Sequence, residues 1–129
     1  MSDLKSALSV AATGLTAQAG RLNLIAQNIA NAETPGYRRK LTAFEATTLG
    51  PGETGVRLVR AGLDQRELPR EFRPGHPMAD DAGYVLGSNV SLTIEMADAR
   101  EAQRSYEANL RSFDNARQMT RSLLDLLRR

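Results

Sequence analysis

The sequence predicts a mainly α chain, with a long helix at each end and a small irregular or β segment between them. Three observations predict it. Apolar residues recur at alternating steps of four and three from Leu4 to Ile29 and again from Leu92 to Leu127. Most of the Gly, and all of the Pro except Pro35, fall between those two stretches. Only 28 of the 129 residues are Leu, Ile, Val or Phe, with no Trp. That share lies just above the roughly 20% at which a chain stops burying enough to fold. Long thin elements that bury surface against partners fit it better than a thick private core.

In the first stretch the row is Leu4, Leu8, Ala11, Leu15, Leu22, Ile25 and Ile29, broken only by Gln18. Ser2 or Asp3 is positioned to cap it. The helix should run to about Asn31, roughly 42 Å at 1.5 Å per residue. Part of it, Ala7 to Leu15 followed by Ala17-Gln18-Ala19, superficially resembles a secretion leader. Asp3 spoils a positive leader and the helical pattern continues through the supposed cut, so we read it as helix. Thr34 precedes a proline and is pushed out of the α region, and Pro35-Gly36 suits the centre of a type II turn.

The second stretch begins near Asn89 or Ser91, either of which is positioned to cap it, and runs almost to Arg129. Its expected seam contains Leu92, Met96, Ala99, Tyr106, Leu110, Phe113, Leu124 and Leu127, with a neighbouring set at Ala102, Ala116 and Leu123. Glu101 with Arg104, Glu107 with Arg111, Asp114 with Arg117, and Asp125 with Arg128 or Arg129 place acid before base at helical spacing. Between the helices, Val56–Val59 and Tyr84–Leu86 read as short strands able to pair with each other. The resulting segments are 1–37, 38–88 and 89–129.

Several function classes are disfavoured. With no Cys, disulfide scaffolds, thiolate zinc sites and thiol catalysis are excluded. No stretch approaches the roughly 20 apolar residues of a membrane span. A net charge of +2 from 17 basic and 15 acidic residues is too balanced to predict nucleic-acid binding from charge, although the Arg content leaves a small helical DNA-binding or nucleoid protein as the alternative reading. The single His76, near Asp80 and Asp81, sits in a Pro- and Gly-rich turn and lacks the further His or Cys that a zinc site wants. Neither a phosphate loop nor a nucleophile elbow is present. We therefore expect no enzyme, no cofactor and no metal. Asn89-Val90-Ser91 matches a glycosylation sequon, but Asn89 is better used as a helix cap.

One segment rises above this background: Asn28-Ile29-Ala30-Asn31-Ala32-Glu33-Thr34-Pro35-Gly36-Tyr37. Asn is a poor helix former, so Asn23, Asn28 and Asn31 near a helix end suggest side chains that bond to neighbouring backbone. The segment resembles the N-terminal signature of the flagellar basal-body rod and hook family of bacterial axial proteins. Within that family, Arg73 to Val85, Asn89-Val90 with Glu95-Met96, and Arg104 to Asn109 are similar to the proximal-rod members. The resemblance covers nearly the whole chain. It departs at Gly87-Ser88, where a proline is common, and at Glu107 and Leu110, where Gln and Val are common.

The resemblance implies two terminal helices packed antiparallel, in coiled-coil fashion, as the inner wall of a helical tube, with the middle segment outside. It implies a structural subunit of the proximal rod that transmits torque, partnered by copies of itself and other rod proteins. Export would pass through the flagellar type III apparatus without a cleaved leader, to the periplasm-spanning rod of the basal body, with no nucleic acid bound and no membrane insertion. Asn28, Asn31, Thr34, Pro35, Gly36 and Tyr37 would fix the turn leaving the tube wall. Leu4, Leu8, Leu15, Leu22, Ile25 and Ile29 would form one seam, faced by Met96, Tyr106, Leu110, Phe113, Leu124 and Leu127.

Overall fold

The computed structural model describes residues 2–129. Its elements follow in the order α1 (Ser2–Ala30), β1 (Lys40–Gly50), β2 (Glu53–Leu63), β3 (Arg70–Phe72), β4 (Tyr84–Leu86) and α2 (Leu92–Leu127). The two helices hold 29 and 36 residues, about 43 and 54 Å of helix. They pack antiparallel: Gly14 lies against Asn109, Arg21 reaches Glu101 at 3.5 Å, and Leu4 lies among Asn115, Met119 and Leu126. α1 runs through Ala17-Gln18-Ala19 without a break, and Asp3 lies in its first turn rather than at a cap.

The middle segment differs from expectation in its pairing. Val56–Val59 belongs to β2, whose partner is the equally long β1, and Tyr84–Leu86 pairs instead with Arg70–Phe72. β1 escaped the sequence reading because Lys40–Gly50 holds Thr, Ala and Glu where an obvious strand would carry Val and Ile. Pairing with the segment just across a two-residue turn also closes a far smaller loop than pairing with residue 84. That turn is Pro51-Gly52, with Gly52 at φ +75°. Proline cannot take the positive φ of the usual hairpin turns, and a register shift between Thr48 and Gly50 accompanies the change.

α1 packs against both α2 and the β1–β2 hairpin. Small residues allow the close approach. A Cβ on Gly20 would lie 2.8 Å from Leu58, and one on Gly55 would lie 2.7 Å from the Thr13 hydroxyl. That hydroxyl accepts the Val56 N–H at 3.1 Å and donates to the Val10 carbonyl, so a helix side chain anchors the strand.

Among the described residues the buried apolar side chains are Ala17, Leu24, Ile25, Val85, Ala102 and Ala116. Buried beside them are the polar Asn28, Asp64, Ser88 and Glu95. The interior is thus thin and partly polar, and its polar part gathers at one end of the helix pair.

Candidate functional site

That end is a junction where α1 stops, the chain turns, β1 leaves, and α2 begins. The turn is built by local chemistry. Asn31 donates through Nδ2 to the Gln27 carbonyl at 2.8 Å and accepts from the Thr34 hydroxyl at 3.1 Å, closing the last turn of helix. The Tyr37 N–H then donates to the Thr34 carbonyl across Pro35-Gly36, with Gly36 at φ +74°. Positive φ at the third position of a type II turn is what glycine supplies without steric cost. The Gly36 N–H is bonded to the Leu86 carbonyl at 3.0 Å, so the turn is tied to β4.

Asn28 is 1% exposed and makes three hydrogen bonds. Its Oδ1 accepts the Lys40 N–H at 2.9 Å and the Tyr37 hydroxyl at 2.9 Å, and its Nδ2 donates to the Lys40 carbonyl at 3.1 Å. The carboxamide thereby acts as a strand partner for the first residue of β1, a role no apolar residue can fill. The Tyr37 phenol is held above its ordinary pKa, first by burial and then by the Glu95 carboxylate.

Arg39 ties the approach to β1 onto α2 at the same junction. Its Nε pairs with Glu95, which is fully buried, and its Nη2 donates to Asp98 at 2.9 Å. Glu95 Oε2 makes no hydrogen bond among the described residues, and the Arg39 guanidinium is the principal compensation for a buried charge. Asn89 accepts the Arg39 N–H at 2.6 Å and donates to the Asp64 carbonyl at 2.9 Å. It does not cap α2. Ser91 is the cap residue, in extended conformation with no side-chain cap bond. Asp64 accepts from the guanidinium of Arg66 and then from its backbone N–H, and these, in that order, hold its carboxyl below the usual range. Ser88 donates to the Ala32 carbonyl, so the departure at Gly87-Ser88 also ties the second helix to the turn.

Sequence reasoning singled out Asn28, Asn31, Thr34, Pro35, Gly36 and Tyr37, and the structure brings all six to this junction. It missed Arg39, Lys40, Asp64, Glu95 and Asp98. A signal existed for one of them: Glu95 lies one heptad before Ala102, on the small-residue row.

The seams are placed less simply. On α1, Ile25 is buried, while Leu4, Leu8, Leu15, Leu22 and Ile29 are half-buried. On α2, Tyr106 and Phe113 are half-buried, while Met96, Leu110, Leu124 and Leu127 are exposed. Of the expected row, Met96 and Leu110 stay exposed where α2 packs on α1, and Leu124 lies in the stretch 121–129, where every residue is exposed. The row beside it, Glu95, Ala102, Asn109 and Ala116, takes the contact instead. Short side chains let two helices approach closely, which bulkier Met and Leu would hold apart. Of the expected helical ion pairs, Asp114–Arg117 forms at 3.7 Å, whereas Glu101 pairs with Arg21 of α1.

His76 and the neighbouring acids do not converge. The His76 Nδ1 accepts the Met78 N–H, and Asp80 accepts the Tyr84 N–H at 2.9 Å and meets Arg70 at 3.3 Å. The Tyr84 N–H is the leading cause that holds the Asp80 carboxyl below its usual range. Among the described residues no cluster of three His, Cys, Asp or Glu is placed to hold a metal ion. No described helix is long and apolar enough to cross a membrane.

Two long antiparallel helices, joined through a polar junction and carrying apolar residues that the chain itself leaves uncovered, fit a subunit that packs with other chains better than a self-contained domain. Residues 8–38 match the family described as flagella basal body rod protein, and residues 81–126 match flagellar basal body rod FlgEFG protein C-terminal. The flagellar basal-body rod protein FlgC of Agrobacterium fabrum is 40% identical over 136 residues, covering 99% of this chain and 98% of its own. FlgC of Borreliella burgdorferi is 35% identical with 96% and 97% covered, and FlgC of Salmonella typhimurium 32% with 95% and 97%. The chain belongs to the FlgC family of flagellar basal-body rod proteins.

Proposed function

We propose that the chain is a non-catalytic structural subunit of the proximal part of the flagellar rod, assembling helically with copies of itself and with other rod proteins to carry torque. The observation that carries this is the exposed pair Met96 and Leu110, at 52% and 40% exposure on a helix whose other face, at Ala102 and Ala116, is already packed. Apolar surface of that kind is stabilised by burial at about 25 cal/mol per Å², and a neighbouring helix is the natural cover. The Asn28 and Arg39 junction supports the mechanical role. It fixes both helices and the hairpin to one point by hydrogen bonds that resist rotation of one element against another. On this reading the subunit leaves the cytoplasm through the flagellar type III apparatus without a cleaved leader, and sits in the periplasm-spanning rod. It binds neither nucleic acid nor cofactor and does not insert into a membrane.

The test is an in-frame deletion of the gene followed by electron microscopy of isolated basal bodies. Membrane rings without a rod are the expected result. A complete rod in the deletion strain would refute the proposal.

A further inference from the structure

The junction contains a cavity of about 180 Å³ where α1, the start of β1 and α2 meet. Leu24 and Ile25 line it from α1, Thr42 from β1, and Glu95 and Asp98 from α2. Glu95 is the lining residue that leaves a buried oxygen unsatisfied. Its side chain is wholly buried, one carboxylate oxygen pairs with Arg39, and Oε2 receives no hydrogen bond from the described residues. A carboxylate oxygen kept from both bulk water and a protein donor is strongly unfavourable, so Oε2 calls for a donor inside the cavity.

The cationic side chains that line the cavity are turned to other acceptors. Arg39 meets Glu95 through Nε at the other carboxylate oxygen and sends Nη2 to Asp98 at 2.9 Å. The Lys40 ammonium donates to Gln27 at 2.6 Å, and Arg21 pairs with Glu101 at 3.5 Å. The charge of the lining then selects the class of ligand. Arg21, Arg39 and Lys40 outweigh Glu95 and Asp98, which disfavours a free cation. An anion would meet the unpaired carboxylate oxygen itself. A small neutral donor fits, and water is the one present at high concentration. One water takes up about 30 Å³ in the liquid, so the cavity admits more than one. The Thr42 hydroxyl, which both donates and accepts, and the Asp98 carboxylate offer such a molecule further partners.

We propose that the junction cavity is a binding site for ordered water, one molecule of which donates a hydrogen bond to Glu95 Oε2. A buried water held by several polar partners is part of the fold and costly to remove. Here it completes the carboxylate that Arg39 satisfies at one oxygen. It also links α2 to β1 beside the direct bonds made by Asn28 and Arg39. The site lies within one chain and does not depend on assembly into a rod.

High-resolution crystal structures of the full-length chain and two variants test this. Glu95→Gln removes the charge and keeps the capacity to hydrogen-bond, whereas Glu95→Met keeps the length without a polar oxygen. Asp98 remains as a partner for Arg39 in both. Water density about 2.6–3.2 Å from Glu95 Oε2 is expected in the parent chain, retained in Glu95→Gln and lost in Glu95→Met. No water at that oxygen in the parent chain overturns the proposal. So does a metal ion or a side chain of a neighbouring molecule in its place, or a water that Glu95→Met leaves where it was. Should Glu95→Met fail to fold, the density in the parent chain and in Glu95→Gln decides. In solution, oxygen-17 relaxation dispersion of the full-length chains should show a long-lived water that Glu95→Met lacks, and equal counts overturn the site.

Discussion

Asn28→Ala removes a side chain that is 1% exposed and satisfies three polar groups. The Lys40 N–H and carbonyl lose their partner at the first position of β1, and the Tyr37 hydroxyl loses its acceptor. Each buried polar group left unpaired costs about 1–3 kcal/mol, with some relief as water follows the smaller side chain. Three such groups, partly relieved, give a loss of about 4 kcal/mol. At an m-value of about 2 kcal/mol per M this moves the urea midpoint down by about 2 M. Asn31→Ala is the comparison. Asn31 is only half-buried and bonds one helix carbonyl and the Thr34 hydroxyl, so about 1 kcal/mol is expected. Tyrosine fluorescence follows the transition, since Tyr37 lies in the junction and the chain has no Trp. If Asn28→Ala and Asn31→Ala shift the midpoint equally, or Asn28→Ala by less than about 0.5 M, the carboxamide is not the strand partner described.

Four further outcomes are expected. Leu110→Asp places a charge on the outward row, so the free subunit should keep its stability within about 0.5 kcal/mol while the strain loses its rod and motility; a motile strain counts against that row as an assembly seam. Gly36→Ala meets no atom within 4 Å but must hold φ +74°, and should cost about 1–2 kcal/mol in urea unfolding through backbone strain alone. The raised Tyr37 pKa means the folded state keeps its phenolic proton more tightly than the unfolded chain. Its contribution is whole below the ordinary tyrosine pKa of about 10 and is lost as pH rises through the raised value. Absorbance titration should show one late tyrosine that vanishes in Tyr37→Phe. Finally, a dilute purified subunit should show less helix by circular dichroism than the full α1 and α2, because α2 leaves apolar residues such as Met96, Leu110 and Met119 uncovered until it packs; full helicity with a sharp cooperative melt would refute this.

The six residues of the turn motif could be picked out from the sequence because the bonds that build the turn are local. Proline restricts its neighbour, glycine supplies a positive φ, and Asn31 bonds within its own last turn. What Asn28 bonds to was not legible. Its partners at Tyr37 and Lys40 become neighbours only when the chain reverses direction, and a polar residue near a helix end looks the same whether buried or solvated. Arg39, Glu95 and Asp98 were hidden for the same reason: charges more than fifty positions apart carry no mark of each other.

By itself the sequence determined the two long helices, their stops, the tight turn at Pro35-Gly36 and the lack of a thick interior, because periodicity, propensity and turn chemistry act over a few residues. Only the tertiary structure decided which row of α2 meets α1. Heptad spacing marks a Met96–Leu110–Leu124 row and a Glu95–Ala102–Asn109–Ala116 row side by side, and hydrophobicity favours the first. The close approach of Gly14 to Asn109, with Ala102 and Ala116 buried on the same row, favours the second, since close contact rewards short side chains over bulky ones. The larger residues are thereby left outside, where a subunit of an assembly has use for them.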